Sequence, residues 1–213
     1  FGNSFHQTLW AFKQVKQDLE FQGRHHEVNG LLEELSKEVP WPSSMTEILV
    51  HKGSSWQFHH RKLVSSRAWR EPGFSAHDWR TEDAPFGYGE DAVATMLESR
   101  PQTAYFRCTF HIDDPARLEA LKMRIRYDDG VAVFLNGTEM VRHYLPGDDE
   151  THYDPRSTEP MLGFGEPLYN VEVLESAMLK TGNNTIAAEV HQHKPDSSDL
   201  IFDLQLEGLV KGE

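Results

Sequence analysis

From Ser44 onward the sequence is a succession of short β-prone runs, each stopped by Gly, Pro, Asn or Asp, and this punctuation constrains the fold more than any other feature. About nine runs stand out: TEILVHKG, SSWQFHH, TAYFRCTFHI, ALKMRIRYDD, GVAVFLNG, EMVRHY, YNVEVL, TIAAEVHQH and DLIFDLQLEGL. Many short strands separated by turn signals argue for an antiparallel sandwich or barrel rather than alternating βαβ units. At the centre lies YDDGVAVFLNGTEMVR, residues 127–142. Val131, Val133 and Leu135 alternate there with Ala132 and Phe134, so one face can be core and the other half-buried. Asn136-Gly137 is a strong hairpin signal, because a type I′ turn needs positive φ at both central positions and these residues tolerate it.

The first 42 residues follow a different rule. Leu9, Phe12 and Leu19 share one helical face, and Val28, Leu31, Leu32, Leu35 and Val39 repeat at three-and-four spacing. Gly23 and Gly30 weaken the stretch, Asn3 or Ser4 can cap it, and the Pro40-Trp41-Pro42 run ends it. The expected organisation is therefore an amphipathic two-helix segment and linker over 1–42, then one β-sandwich over 43–213. The helices are expected to pack on the following domain or on a neighbouring domain or subunit.

A chain of 213 residues carries 21 Lys and Arg against 34 Asp and Glu, a formal net charge of −13. Nucleic acid and anionic lipid are bound largely by neutralising phosphates with Lys and Arg, so both drop out as expected partners. No apolar run approaches the roughly 20 residues that a membrane span requires. The start, FGNSFHQTLWAF, has neither a basic region nor an initiating Met, and reads as a chain begun within a longer protein or after processing. Cys108 has no second thiol with which to form a disulfide or a Cys-based zinc site, and its strand context suits a small core residue.

From about Thr46 to Val210 the chain resembles a galactose-binding-domain-like jelly-roll module of the kind appended to bacterial secreted hydrolases and multidomain surface proteins. The pieces that carry the resemblance run in order: WREPGFSAHDW (69–79), APFGYG (84–89), AYFRCTF (104–110), RYDDGVAVFLNG, LPGDDETHYD, TGNNTIAAEVHQ and SSDLIFDLQL. The first is also similar to the opening strands of sugar-binding domains in β-galactosidase-like enzymes. Ser75 and Ala76 stand where the family often has two acidic residues, which weakens the case for a cation at that loop, and the N-terminal helices lie outside the resemblance. The resemblance implies a jelly-roll fold, an extracellular, cell-surface or periplasmic setting, and a habit of binding glycans or packing beside a catalytic domain. It implies no activity of the module itself.

Several constellations could carry chemistry. Adjacent Asp128 and Asp129 in a turn cannot form the opposed carboxyl pair of a retaining glycosidase, which sits about 5 Å apart across a sugar. Turn-shaping comes first for them, calcium with loop carbonyls second, and sugar hydroxyls third. In AEVHQH, the residues Glu189, His191 and His193 would share one face of a strand, an arrangement that metal-dependent jelly rolls use for a transition metal; structural histidines bonded to neighbouring strands are commoner. His25-His26 and His59-His60 are adjacent pairs whose members point apart. Trp56, Trp69, Phe74 and Trp79 are expected between the sheets. Tyr88 on a Gly-flanked loop, with Asp128, Asp129, His143, Tyr144 and His191, completes the expected ligand-binding set. The sequons at Asn136 and Asn183 matter only in a eukaryotic secreted protein.

The expectation is a non-catalytic carbohydrate-binding accessory module, with calcium the one cofactor left open. Two alternatives stand beside it: a structural module docking to a partner domain, and a metal-dependent jelly-roll enzyme.

Overall fold

The computed structural model describes residues 46–64, 66–146 and 169–211. The expected helical segment over 1–42, with His25 and His26, lies outside them, as does the GDDETHYD stretch. Among the described residues there are twelve strands and no α-helix, with short 3-10 turns at Arg67–Arg70, Pro115–Arg117 and Ser176–Met178. In chain order the strands are β1 (Thr46–Val50), β2 (Ser55–His59), β3 (Arg80–Asp83), β4 (Phe86–Tyr88), β5 (Thr95–Met96) and β6 (Thr103–Ile112). They continue as β7 (Leu118–Tyr127), β8 (Gly130–Leu135), β9 (Thr138–His143), β10 (Asn170–Glu175), β11 (Gly182–His191) and β12 (Leu200–Val210).

These strands form two six-stranded sheets. One runs β10-β7-β12-β4-β5 with β1 alongside β12; the other runs β3-β2-β6-β11-β8-β9. All pairings are antiparallel except the short β4–β5 pair. The molecule is thus a mainly β, sandwich-like fold. The expected runs all appear as strands, while β3, β4 and β5 were not expected. β3 is RTED, exposed throughout, so backbone pairing with β2 forms it and no apolar alternation announces it.

Side chains from the facing sheets close the main core. Trp56 meets Phe202 edge-on at 5.2 Å between ring centroids, and Phe106 stacks on Phe202 at 4.1 Å. Burying side chains of this size contributes about 1.5–3 kcal/mol each. The hairpin expected at Asn136-Gly137 is present, with φ of 51° and 86°. Asn136 does more than turn the chain: its Nδ2 donates to the Met178 carbonyl and to Asn184 Oδ1, while its Oδ1 accepts from the Thr185 amide.

A second apolar cluster lies on the outer face of the β6–β11–β8 sheet. Tyr105, Ala132, Phe134 and Ala187 alternate with main-core residues along their strands and pack against Trp69, with Val64, Phe74 and Trp79 over them. Trp69, Phe74 and Trp79 therefore lie outside this sheet, beneath a cover formed by residues 64–79, rather than between the sheets. Arg107 fastens the cover, donating from its guanidinium to the carbonyls of Trp69 and Glu71. This explains why every residue of GVAVFL is buried: β8 is packed on both faces.

Candidate functional site

The register of the strands brings most of the sequence-predicted residues to one end of the sandwich. Thr103 pairs with His191 and His191 with Gly130; Leu200 pairs with Tyr88, and Phe202 with Tyr127. The ends of β2, β4, β7, β9 and β11 and the starts of β6, β8 and β12 thus lie at one rim.

Asp128 and Asp129 sit at its centre. The Asp129 amide donates to the His191 carbonyl at 3.2 Å, and its Oδ2 accepts from the His193 amide at 2.8 Å. Gln192 continues the stitching: its Nε2 donates to the Asp199 carbonyl at 2.8 Å, and its amide to the Gln102 carbonyl at 2.9 Å. Asp129 therefore ties the β7–β8 turn to the chain leaving β11. Burial, followed by the charge of Asp129 and a hydrogen bond to it, pushes the Asp128 carboxyl up to about 8. At neutral pH Asp128 is a proton donor to its neighbour, which suits the turn-shaping role.

Tyr88 is buried in β4, not displayed on a loop. Its phenol is raised to about 12, chiefly by burial, and the Arg100 guanidinium lies 5.7 Å from its ring centroid. His143 is held between the Tyr127 hydroxyl, 2.8 Å from Nδ1, and Glu172, 3.2 Å from Nε2. Tyr144, at φ 53°, packs against the main core. His143 thus links β9 to β10 across the two sheets.

The proposed transition-metal set does not assemble. β11 ends at His191, so the alternation that would align His193 with Glu189 and His191 stops before it. Glu189 is buried against Arg70 Nη2 at 3.2 Å, with His191 Nε2 at 3.6 Å, beneath the 64–79 cover. Arg70 is in turn stacked 4.0 Å over Phe134. Among the described residues no group of three or more His, Cys, Asp or Glu is arranged to hold a metal ion. Cys108 is partly buried against the main core, its thiol raised to about 11 by burial.

What the sequence did not single out is a cleft of about 640 Å³ beside this rim, between residues 60–63 and 98–103. Its wall carries Arg61, Lys62 and Arg100, with Glu98 as the opposing charge. His60 is buried in the same wall, stacked on Phe58 at 5.7 Å, and both its ring nitrogens lack hydrogen-bond partners among the described residues. Burial, and then Arg61, lower its pKa, so the ring is neutral at neutral pH. Ser99 and Arg100 both adopt positive φ, 72° and 43°, a cost that non-glycine residues seldom carry in succession. The sequence signal was the basic HHRK stretch in an acidic chain; nothing local shows that it meets residues 98–103.

No protein-family model matches the sequence, and no curated protein does. Among solved structures, the chain is similar in fold to part of a β-glucuronidase from an uncultured Clostridium sp. The TM-score is 0.51 at 14% identity, over 81% of this chain and 30% of that one. A calcium-binding mutant of Bacteroides uniformis β-glucuronidase 2 gives a TM-score of 0.50 at 14% identity, covering 76% of this chain and 18% of that chain. The class defined is a β-sandwich domain of a kind found within these larger enzymes. The chain spans less than a third of the length of either.

Proposed function

We propose that this chain is a galactose-binding-domain-like jelly-roll module that binds carbohydrate without catalysing its hydrolysis, as an accessory part of a larger secreted or cell-surface protein. The observation that carries the reading is the open polar cleft at the strand-end rim of a rigid sandwich. Its volume lies in the roughly 300–1,000 Å³ range of small-ligand sites, and its guanidinium, ammonium, amide and hydroxyl groups suit a hydroxyl-rich ligand. The likeness in fold to parts of β-glucuronidase chains supports the carbohydrate setting. The non-catalytic part rests on the state of the acids: Asp128 is bonded to Asp129, and Glu189 is neutralised by Arg70 beneath a cover, so neither faces a partner carboxyl across open space.

A glycan-array screen of the full chain, paired with hydrolysis assays on aryl glycosides including an aryl glucuronide, tests both halves. Binding without turnover is expected. Turnover by the purified chain would overturn the non-catalytic reading, its loss in Glu189→Gln or Asp128→Asn would overturn the assignment of the acids, and absence of any glycan binding would move the function to docking against a neighbouring domain.

A further inference from the structure

Beyond the general carbohydrate reading, on which this inference rests, the cleft defines the kind of sugar. Trp, Tyr and Phe are absent from its lining residues, so the stacking of a neutral sugar face on an aromatic ring, a common source of affinity, is not on offer. What the wall offers is charge. Arg61, Lys62 and Arg100 face one acid, Glu98, in a chain whose formal net charge is −13. Arg61 and Lys62 have no ion-pair or hydrogen-bonding side-chain partner among the described residues, unlike Arg70, Arg117, Arg124, Arg126 and Arg142, each of which is paired with a glutamate. A local positive surface left unpaired amid an excess of acid is a feature that a carboxylate would complete, and guanidinium groups bind carboxylates in a directed two-pronged way.

We propose that the cleft between residues 60–63 and 98–103 binds a uronic acid unit, its carboxylate held by Arg61, Lys62 and Arg100 and its hydroxyls by Ser99, Gln102 and the imidazole of His60. The imidazole adds the second half of the recognition. A neutral ring both donates and accepts, as a sugar hydroxyl does, and these nitrogens sit buried without partners at the cleft wall. Seating a hydroxyl there requires a small shift of the ring toward the cleft, recovered by satisfying a polar group that is otherwise unpaired. The consecutive positive φ values of Ser99 and Arg100 hold the second wall in a shape that relaxed chain would leave.

Ligand-detected NMR and calorimetry on the full chain provide the test, with methyl glucuronide and methyl galacturonide as probes. Methyl glucoside and methyl galactoside serve as neutral counterparts and acetate as a sugar-free carboxylate. Binding of a uronide, at least about tenfold weaker for its neutral counterpart and for acetate, and weakening as salt is raised, is the expected result. Arg61→Gln combined with Arg100→Asn should weaken the uronide by about tenfold or more, since each removes a charge-assisted bond. Both positions are exposed, and Asn tolerates the positive φ of residue 100, so the variant keeps its fold; an unchanged far-ultraviolet spectrum checks this. Equal binding of uronide and neutral sugar, or no effect of the double variant, overturns the proposal while leaving the carbohydrate reading intact. Acetate binding as well as the uronide reduces the site to a simple anion site and overturns the sugar part. Failure of the uronides overturns the proposal, and the glycan array then decides the broader reading separately.

Discussion

Asp128 sets a pH dependence whose sign follows from its surroundings. Unfolded, the carboxyl titrates near 3.8; folded, burial and the neighbouring Asp129 raise it to about 8. Between these values the folded protein holds a proton that the unfolded chain releases, so the contribution to stability is fully present below about pH 4 and lost as pH rises through 8. Asp128→Asn imitates the protonated acid and should flatten the fall in melting temperature between pH 5 and pH 9. The variant should gain on the order of 1 kcal/mol at pH 8, allowing for solvent screening of a partly exposed group. Melting curves across that range check it, and a variant that melts in parallel with the parent at every pH would refute the assignment. Glu189 makes the opposite kind of prediction. Glu189→Ala leaves the buried Arg70 guanidinium without its carboxylate and should cost about 3–5 kcal/mol in urea unfolding, whereas replacing an exposed ion-pair partner such as Glu82 should cost under about 1 kcal/mol.

At the scale of elements, the long strands were legible because the feature that forms them is local. β6, β7, β11 and β12 carry apolar residues at alternate positions, and the turns between strands carry the residues those turns demand. The Asn136-Gly137 hairpin was read correctly as a turn, but the threefold anchoring by the Asn136 side chain was not, because Met178, Asn184 and Thr185 lie more than 40 residues away. Asn136→Ala should accordingly cost more than a turn residue alone, about 2 kcal/mol or more, since it strands the Thr185 amide in the interior; Asn136→Gly, which keeps the turn but not the bonds, separates the two contributions. The same burial makes Asn136 an unsuitable glycan acceptor in the folded chain, while Asn183 is exposed. The loops were the opposite case. PGFSAHDW reads as a connection, and only the assembled sheet shows that Trp69, Phe74 and Trp79 cover the outward side chains of Tyr105, Ala132, Phe134 and Ala187. The rim where β4 ends is equally non-local: at Gly89, φ is 75° and an added Cβ would lie 2.3 Å from the Ser198 carbonyl oxygen. Gly89→Ala should therefore displace the 192–199 connection and loosen the β4–β12 pairing, seen as faster amide exchange at residues 200–202.

For the molecule as a whole, the charge balance excluded nucleic acid as an expected partner, and no helix among the described residues is long and apolar enough to cross a membrane. The site was harder to read than the fold. Asp129, Glu189 and His191, which attracted notice in the sequence, are buried in hydrogen bonds and an ion pair, whereas the cleft is made by HHRK and ESRPQ, two stretches that are adjacent only because β2 and β6 pair. Among the described residues the main core closes between the two sheets, from Val50 to Leu206. If the sandwich is a unit in itself, residues 43–213 alone should unfold cooperatively, with a single transition shared by far-ultraviolet and near-ultraviolet signals; a chain that fails to fold without 1–42 would place those residues inside the domain.

Among the described residues the 64–79 cover puts tryptophans in two different surroundings. Trp56 is enclosed between the sheets, while Trp69 and Trp79 sit in the cover with His59, Phe74 and Tyr105 around them. Emission from the second pair should shift to longer wavelength when the cover lifts, even while Trp56 remains quenched or blue and the strands stay intact. With Trp10→Phe and Trp41→Phe removing the other two emitters, a fluorescence change that precedes the loss of β-sheet signal on gentle heating would mark that lifting as a separate, lower-energy opening of the protein.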